Sequence, residues 1–378
     1  MRKLVILLSM LACFGCGSAF GRRSLYPACG AIAHDGRFAA ALSGAHGLDL
    51  ELSGTDGSIE KAQLELAGQP ENCQLAFNRE GNYLAVGVRI GNSAKTWLHV
   101  GVFDDHSRKW ISSFKVDPAK GMPFPMRLEG FLGDSSTLVV TGFARGSYEK
   151  PDRSAILVAL LSPDGHLTRP VTTREIPGSY FNWQVNFVDA VHNRVWFNHS
   201  PQFCPLSSAT LTGPLESGPS VDENVLGSLA CDLPAALGFP SSNELVGAST
   251  RSDQSWVWRI DLAKGIGNKV VLPEPPRSTL TRWNQVQMSN NIPVSPDGRV
   301  FAIGRAWIAW DAADRPHYKP GEIYVLQVEP LKVLGTFGSK DTCGPAVAVD
   351  HRDGRAMVLS HQCGGGWKLL PVRLFGAK

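Results

Sequence analysis

Seven basic or imidazole side chains punctuate this chain at long intervals: His46, Arg89, Arg145, His199, Arg251, Arg305 and His361. A guanidinium grips a carboxylate or phosphate through two parallel hydrogen bonds. Gathered on one surface, the series would attract an acidic ligand or partner. Polar loop starts account for the same series without any ligand, and neighbouring acids would cancel its field. A second group offers flat aromatic area. Asn182-Trp183-Gln184 and Arg282-Trp283-Asn284 each set a tryptophan among polar residues, and Trp307, Trp310, His317 and Tyr318 follow in one stretch, read here as a long loop. Aromatics beside arginine are the usual make-up of a binding hot spot. Tryptophans wedged into a core are the plainer alternative.

Cysteine supplies the other chemistry. Cys13 and Cys16 lie in the N-terminal leader, and Cys29, Cys73, Cys204, Cys231, Cys343 and Cys363 remain. An even number in an exported chain points to disulfides. Beyond the leader there is no C-x-x-C pair and no histidine pair at zinc-ligand spacing, so metal binding has little to stand on. Catalytic signatures are missing too: no G-x-S-x-G elbow, no H-E-x-x-H, no P-loop and no dinucleotide glycine fingerprint opening a helix. Asp104-Asp105-His106 has the residue types of a metal or acid/base site but the setting of a solvated hairpin turn. Cys363-Gly364-Gly365-Gly366 resembles an anion-binding loop, yet no helix follows to add its dipole. His351 and His361 flank one hairpin and read as polar loop residues. No cofactor is expected.

The bulk sequence narrows the class. Its 378 residues carry 37 Lys+Arg against 34 Asp+Glu, without the basic stripe of a nucleic-acid binder. Residues 1–21 read as a signal peptide. Arg2 and Lys3 form a positive start, Leu4 to Phe14 a short apolar run, and Ala19-Phe20-Gly21 a processing site. Met10-Leu11-Ala12-Cys13 resembles a bacterial lipoprotein box with its leucine one place late, so Cys13 or Cys16 is a candidate for lipidation. A lipid there would anchor the chain rather than span a membrane. No later run reaches the roughly 18 apolar residues of a transmembrane helix.

The elements that must position these residues come from a repeated sentence: an apolar strand, a tight polar turn, a second apolar strand. The clearest copies are Ile32 to Ala40 around Asp35-Gly36, Leu75 to Val86 around Glu80-Gly81, and Val294 to Ile303 around Asp297-Gly298. Equivalent turns fall at Gly133-Asp134, His192-Asn193, Ser242-Asn243 and Asp353-Gly354, roughly fifty residues apart, near a propeller-blade period. Glycine and asparagine suit such turns because they tolerate positive φ. Each unit then offers a second hairpin, such as Trp97 to Phe103 with Trp110 to Phe114, or Ser255 to Asp261 with Lys269 to Leu272. Four antiparallel strands in each of seven units make an all-β, seven-bladed β-propeller over residues 22–378.

Ser295-Pro296-Asp297-Gly298-Arg299 and Trp256-Val257-Trp258-Arg259-Ile260-Asp261 resemble the first-hairpin turn and the Trp-Asp strand of the WD-repeat and YVTN-type propellers, across nearly the whole mature chain. The Ser-Pro-Asp-Gly copies also look like the periplasmic Tol-system propeller. The last unit supplies only three strands, Ala346 to Val349, Arg355 to Leu359 and Trp367 to Leu374. Arg23 to Tyr26 is expected to add the fourth and close the ring, hiding its open sheet edges.

On this map Cys29, Cys73, Cys231 and Cys343 sit just before first strands, and Cys204 and Cys363 just after second strands. Both loop types emerge on one face, which yields the pairing Cys29–Cys73, Cys204–Cys231 and Cys343–Cys363. The seven basic positions reach the same face. The expectation is an exported, periplasmic or extracellular, non-enzymatic monomer that binds a protein or acidic ligand there. The competing class is a lactonase-like or quinoprotein-like propeller enzyme with a metal or cofactor at the channel mouth.

Overall fold

The computed structural model describes residues 28–43, 47–54, 56–68, 70–92, 95–116, 126–144, 154–169, 172–176, 187–198, 206–213, 216–221, 234–251, 254–273, 282–288, 292–310, 316–337, 347–361 and 366–374. Among them every regular element is a strand. Blade 1 contains β1 (Ala28–Ile32), β2 (Phe38–Ser43), β3 (Gly47–Ser53) and β4 (Ile59–Glu65). Blade 2 contains β5 (Pro70–Phe77), β6 (Tyr83–Asn92), β7 (Lys95–Asp104) and β8 (Lys109–Val116). Blade 3 follows with β9 (Met126–Phe131), β10 (Leu138–Ala144), β11 (Ser154–Leu161) and β12 (Thr172–Ile176). Blade 4, with short strands, has β13 (Phe187–Asp189), β14 (Arg194–Asn198), β15 (Leu206–Thr210) and β16 (Ser217–Val221). Blade 5 has β17 (Pro234–Ser241), β18 (Glu244–Arg251), β19 (Gln254–Asp261) and β20 (Ile266–Val271). Blade 6 has β21 (Arg282–Met288), β22 (Val300–Trp310), β23 (Pro316–Gln327) and β24 (Lys332–Phe337). Blade 7 has β25 (Ala348–Arg352), β26 (Arg355–His361) and β27 (Trp367–Pro371), and the chain ends its described course in β28 (Arg373–Leu374).

Each blade is an up-and-down antiparallel sheet in chain order, so the chain is a seven-bladed β-propeller. The polar turns form the first hairpins as expected. Gly36, Gly81, Gly133, Asn193 and Gly298 all take positive φ there, and Asp353 and Gly354 do so together, as a type I′ hairpin turn requires.

The middle strands of the blades are buried on both faces, which explains strands that read as continuous apolar runs, while outer strands such as β4, β8 and β20 leave half or more of their residues exposed. Successive residues point to opposite faces. Val140 packs with blade 2 residues such as Val100 and Val102, while its neighbour Val139 packs with Val195 and Leu211 of blade 4. The buried apolar residues gather between neighbouring blades around the whole wheel. Each fully buried Val, Leu or Ile contributes roughly 1.5–3 kcal/mol relative to an exposed one.

The wheel closes by packing. Phe38 and Ala40 of blade 1 share a cluster with Ala348, Leu359 and Trp367 of blade 7. The Trp367 N–H donates to Glu51 Oε2 on β3 at 3.0 Å. Two details depart from expectation. Trp367 to Leu374 is not one strand: β27 stays with blade 7, and β28 crosses to pair with β24 on the outer edge of blade 6. The tail therefore staples two blades. The expected closing strand Arg23 to Tyr26, the leader and its Cys13 and Cys16 lie outside the described residues.

Candidate binding face

In such a wheel the first-hairpin turns emerge on one face, and the ends of the second strands on the other. On the turn face, neighbouring blades touch turn to turn all the way round. Arg37 Nη2 donates to the Gly81 carbonyl at 2.9 Å, and Arg79 pairs with Asp134. The Gly133 N–H donates to the Ala190 carbonyl at 3.2 Å, and Arg194 Nη1 to the Ser242 carbonyl at 3.0 Å. Gly298 lies so close to Pro240 that an added Cβ would sit 2.4 Å from its carbonyl oxygen. His351 Nδ1 meets Asp297 Oδ2 at 2.8 Å. Arg352 crosses the seam to blade 1, donating to the carbonyls of Asp35, Ala33 and His34.

Asp104-Asp105-His106 belongs to this structural side and corrects the reading of a solvated turn. Asp104 does form a turn, accepting from the His106 and Ser107 N–H groups, which hold its carboxyl below the ordinary range, Ser107 foremost. Asp105, however, has a side chain only 3% exposed and is paired with both Arg37 of blade 1 and Arg108. Arg108 in turn pairs with Glu60 of β4 at 2.6 Å. This is an inter-blade clamp. The sequence did carry a signal for it, since an arginine recurs in or beside the first-hairpin turns at Arg37, Arg79, Arg194, Arg299 and Arg352.

The opposite face carries the candidate positions. Arg251 ends β18 and His361 ends β26. Arg89 lies three residues before the end of β6, opposite Asn72 of β5. Its Nε is 3.0 Å from Glu71 Oε2, so this guanidinium is already neutralised by a neighbour. Arg305 is not past the end of its strand: β22 runs on to Trp310. His46, Arg145, Trp183 and His199 lie outside the described residues.

The cysteines follow suit. Cys29 and Cys73 form a disulfide across 44 residues of sequence, with Cα atoms 5.8 Å apart. They lie within β1 and β5 rather than before them, opposite Ala41 and Val88. The bond joins the innermost strands of blades 1 and 2 close to Arg89 and Glu71. Cys204, Cys231, Cys343 and Cys363 fall outside the described residues, as does most of the glycine run from Cys363.

Blade 6 corrects the sequence reading most. Arg282-Trp283-Asn284 does not precede a first strand but opens β21. The stretch with Trp307, Trp310, His317 and Tyr318 is not a loop either, since all four are strand residues. The base of the blade is ordinary, with Val294 bridging Phe301 and Val300 to Gly304 opposite Gln327 to Ile323. Beyond it, Arg282 to Met288 pairs with Trp310 to Arg305, and Ala306 to Trp310 pairs with Pro320 to Pro316. The upper part of blade 6 is thus a three-stranded extension, and its second strand has eleven residues against ten in blade 2 and six in blade 1.

Among the described residues no three His, Cys, Asp or Glu side chains gather as a metal site, and no helix is long and apolar enough to cross a membrane. No protein-family model and no curated protein matches the sequence. Solved structures align weakly. An oligogalacturonate lyase in complex with manganese has TM-score 0.48 at 10% identity, covering 93% of this chain and 91% of that one. The β-propeller domain of the trilobed protease from Pyrococcus furiosus, described as having an open velcro topology, has TM-score 0.45 at 11% identity, covering 94% and 98%. Prolyl oligopeptidase B from Galerina marginata has TM-score 0.46 at 10% identity, covering 92% of this chain and 48% of that one. Likeness at this level carries no argument about activity.

Proposed function

We propose that residues 1–21 direct export and that residues 22–378 act in the periplasm or outside the cell as a monomeric binding module of WD-repeat or YVTN-like kind. Its ligand is a protein or other acidic partner, held on the face opposite the turn ring. The observation that carries this reading is the division of labour between faces. The turn-face arginines Arg37, Arg79, Arg194 and Arg352 are engaged with neighbouring blades. Arg251 and His361 instead end second strands on the other side. The Cys29–Cys73 bond supports the reading by holding inner strands of that face in place.

Charge reversal tests it. The mature chain and its R251E/R305E variant are used as bait on cell-envelope extract. Capture of an acidic partner by the mature chain, lost in the variant and weakened by salt, is the expected result. Equal capture by both removes the reading. Fractionation of the expressing cells, with N-terminal sequencing of the product, tests export: an intact Met1 on a cytoplasmic protein refutes that part.

A further inference from the structure

We propose that the blade 6 extension is a docking edge for an extended acidic peptide of a partner protein, which adds to β21 as a further strand. The proposal rests on the reading of this face as a binding face and names what binds and where.

Two independent observations converge. The first is backbone. β21 is the end strand of its sheet, and among the described residues it is hydrogen-bonded to β22 alone. An antiparallel edge strand turns about half of its N–H and C=O groups away from its one neighbour. The other inner strands have free edges as well. β21 pairs only with residues 305–310 of β22, a stretch about 20 Å long at the usual rise. Proteins commonly blunt such an edge with proline, lysine or a bulge. β21 contains neither proline nor lysine, and its register shift falls between Trp283 and Gln285, near one end. Met288, Gln287, Val286 and Gln285 form an uninterrupted ladder opposite Arg305 to Ile308. An edge of this kind accepts an extended peptide through main-chain hydrogen bonds.

The second observation is charge. The three paired segments, 282–288, 305–310 and 316–320, include Arg282, Arg305 and Lys319 and not one Asp or Glu. Trp283, Trp307, Trp310 and Tyr318 lie in the same small sheet. The nearest acids in sequence are Asp311 and Asp314, in the connection outside the described residues, and Glu322 below the extension. A peptide supplied with carboxylates matches that balance. The strand edge decides for a peptide over an acidic glycan, because a sugar chain has no amides with which to complete the ladder.

The test uses the full mature chain and a short fluorescent Glu-Thr repeat peptide. The comparison probes are the same peptide N-methylated at alternate amides, a Lys-Thr repeat, and polygalacturonate. The Glu-Thr peptide should bind, N-methylation should weaken it by at least about tenfold through lost ladder bonds, and the Lys-Thr peptide should not bind. R282E/K319E should abolish binding while keeping the wild-type melting temperature; if that pair fails to fold, R282Q/K319Q serves instead. The proposal is overturned if the methylated peptide binds as tightly, or if polygalacturonate binds and the peptide does not. If R282E/K319E leaves envelope capture intact while R251E abolishes it, the face binds elsewhere: the edge proposal falls and the binding-face reading stands. Peptide binding that R282E/K319E abolishes, with R251E silent in capture, leaves the edge proposal standing and removes Arg251 from the binding face.

Discussion

At the scale of single residues, the informative groups are the ones that touch the next blade. Asp297 is one. Ser295 Oγ donates to its Oδ1 at 2.6 Å, the Arg299 N–H donates to the same atom at 3.1 Å, and His351 of blade 7 meets Oδ2 at 2.8 Å. Burial pushes this carboxyl up, but the bonds from Ser295, His351 and Arg299 more than reverse it and hold it below its ordinary 3.8. A folded value lower than the unfolded one means that the unfolded chain binds more protons at low pH. The stabilisation is therefore present above 3.8 and lost as pH falls through the lower folded value. D297N should be less stable than wild type at neutral pH by about 0.5–1 kcal/mol, a modest figure because the site is partly solvent-screened. Urea unfolding at neutral pH and again well below pH 3.8 checks it. The deficit should vanish at the acid end, and a constant deficit would mean that the negative charge is not its source.

At the scale of elements, the decisive features are tie points between strands that are far apart in sequence. The Cys29–Cys73 bond closes a long loop between β1 and β5, and such closure is worth about 2–4 kcal/mol through the unfolded chain. C29S/C73S should lower stability by that order, read from denaturant midpoints at matched pH, and non-reducing peptide mapping should recover the Cys29–Cys73 peptide from wild type. A Cys29–Cys343 peptide would contradict the assignment. Elements also explain why blade 6 misled the sequence reading. Trp307, Trp310, His317 and Tyr318 lie among glycine, proline and aspartate, which taken locally signals a loop. Only the register of β21 against β22, and of β22 against β23, makes them strand residues.

At the scale of the whole molecule, stability is shared around a ring in which blades 7 and 1, the last and first in sequence, meet side by side. Blades 7 and 1 meet through Trp367, Glu51, the packed cluster around Leu359 and the reach of Arg352 to the first turn, while β28 fixes the tail to blade 6. Removing Trp367 to Lys378 takes away β27, β28 and a buried tryptophan together. It should cost several kcal/mol, far more than deletion of a loop, because buried large side chains alone cost about 3–5 kcal/mol each. Thermal melting checks this: a truncated chain that melts with wild type would show that the seam bears little of the load. Much of this architecture was legible in the sequence. Seven turn motifs at a blade period, six of them with Gly or Asn at a positive φ, together with middle strands apolar on both faces, have few solutions other than a wheel of small sheets. The Cys29–Cys73 pair followed from that map. Local chemistry does not specify which distant groups become neighbours. Hence the sequence reading took Asp105 for a solvated turn residue and counted Arg89 as an open cation, when one is buried between two arginines and the other is paired with Glu71. The amino-acid order by itself determined the kind of strand and turn made at each point, because those depend on neighbours a few residues away. The joining of the seam, the pairing of the charges and the register that makes β21 a strand were decided only by tertiary structure, where residues hundreds of positions apart share one surface.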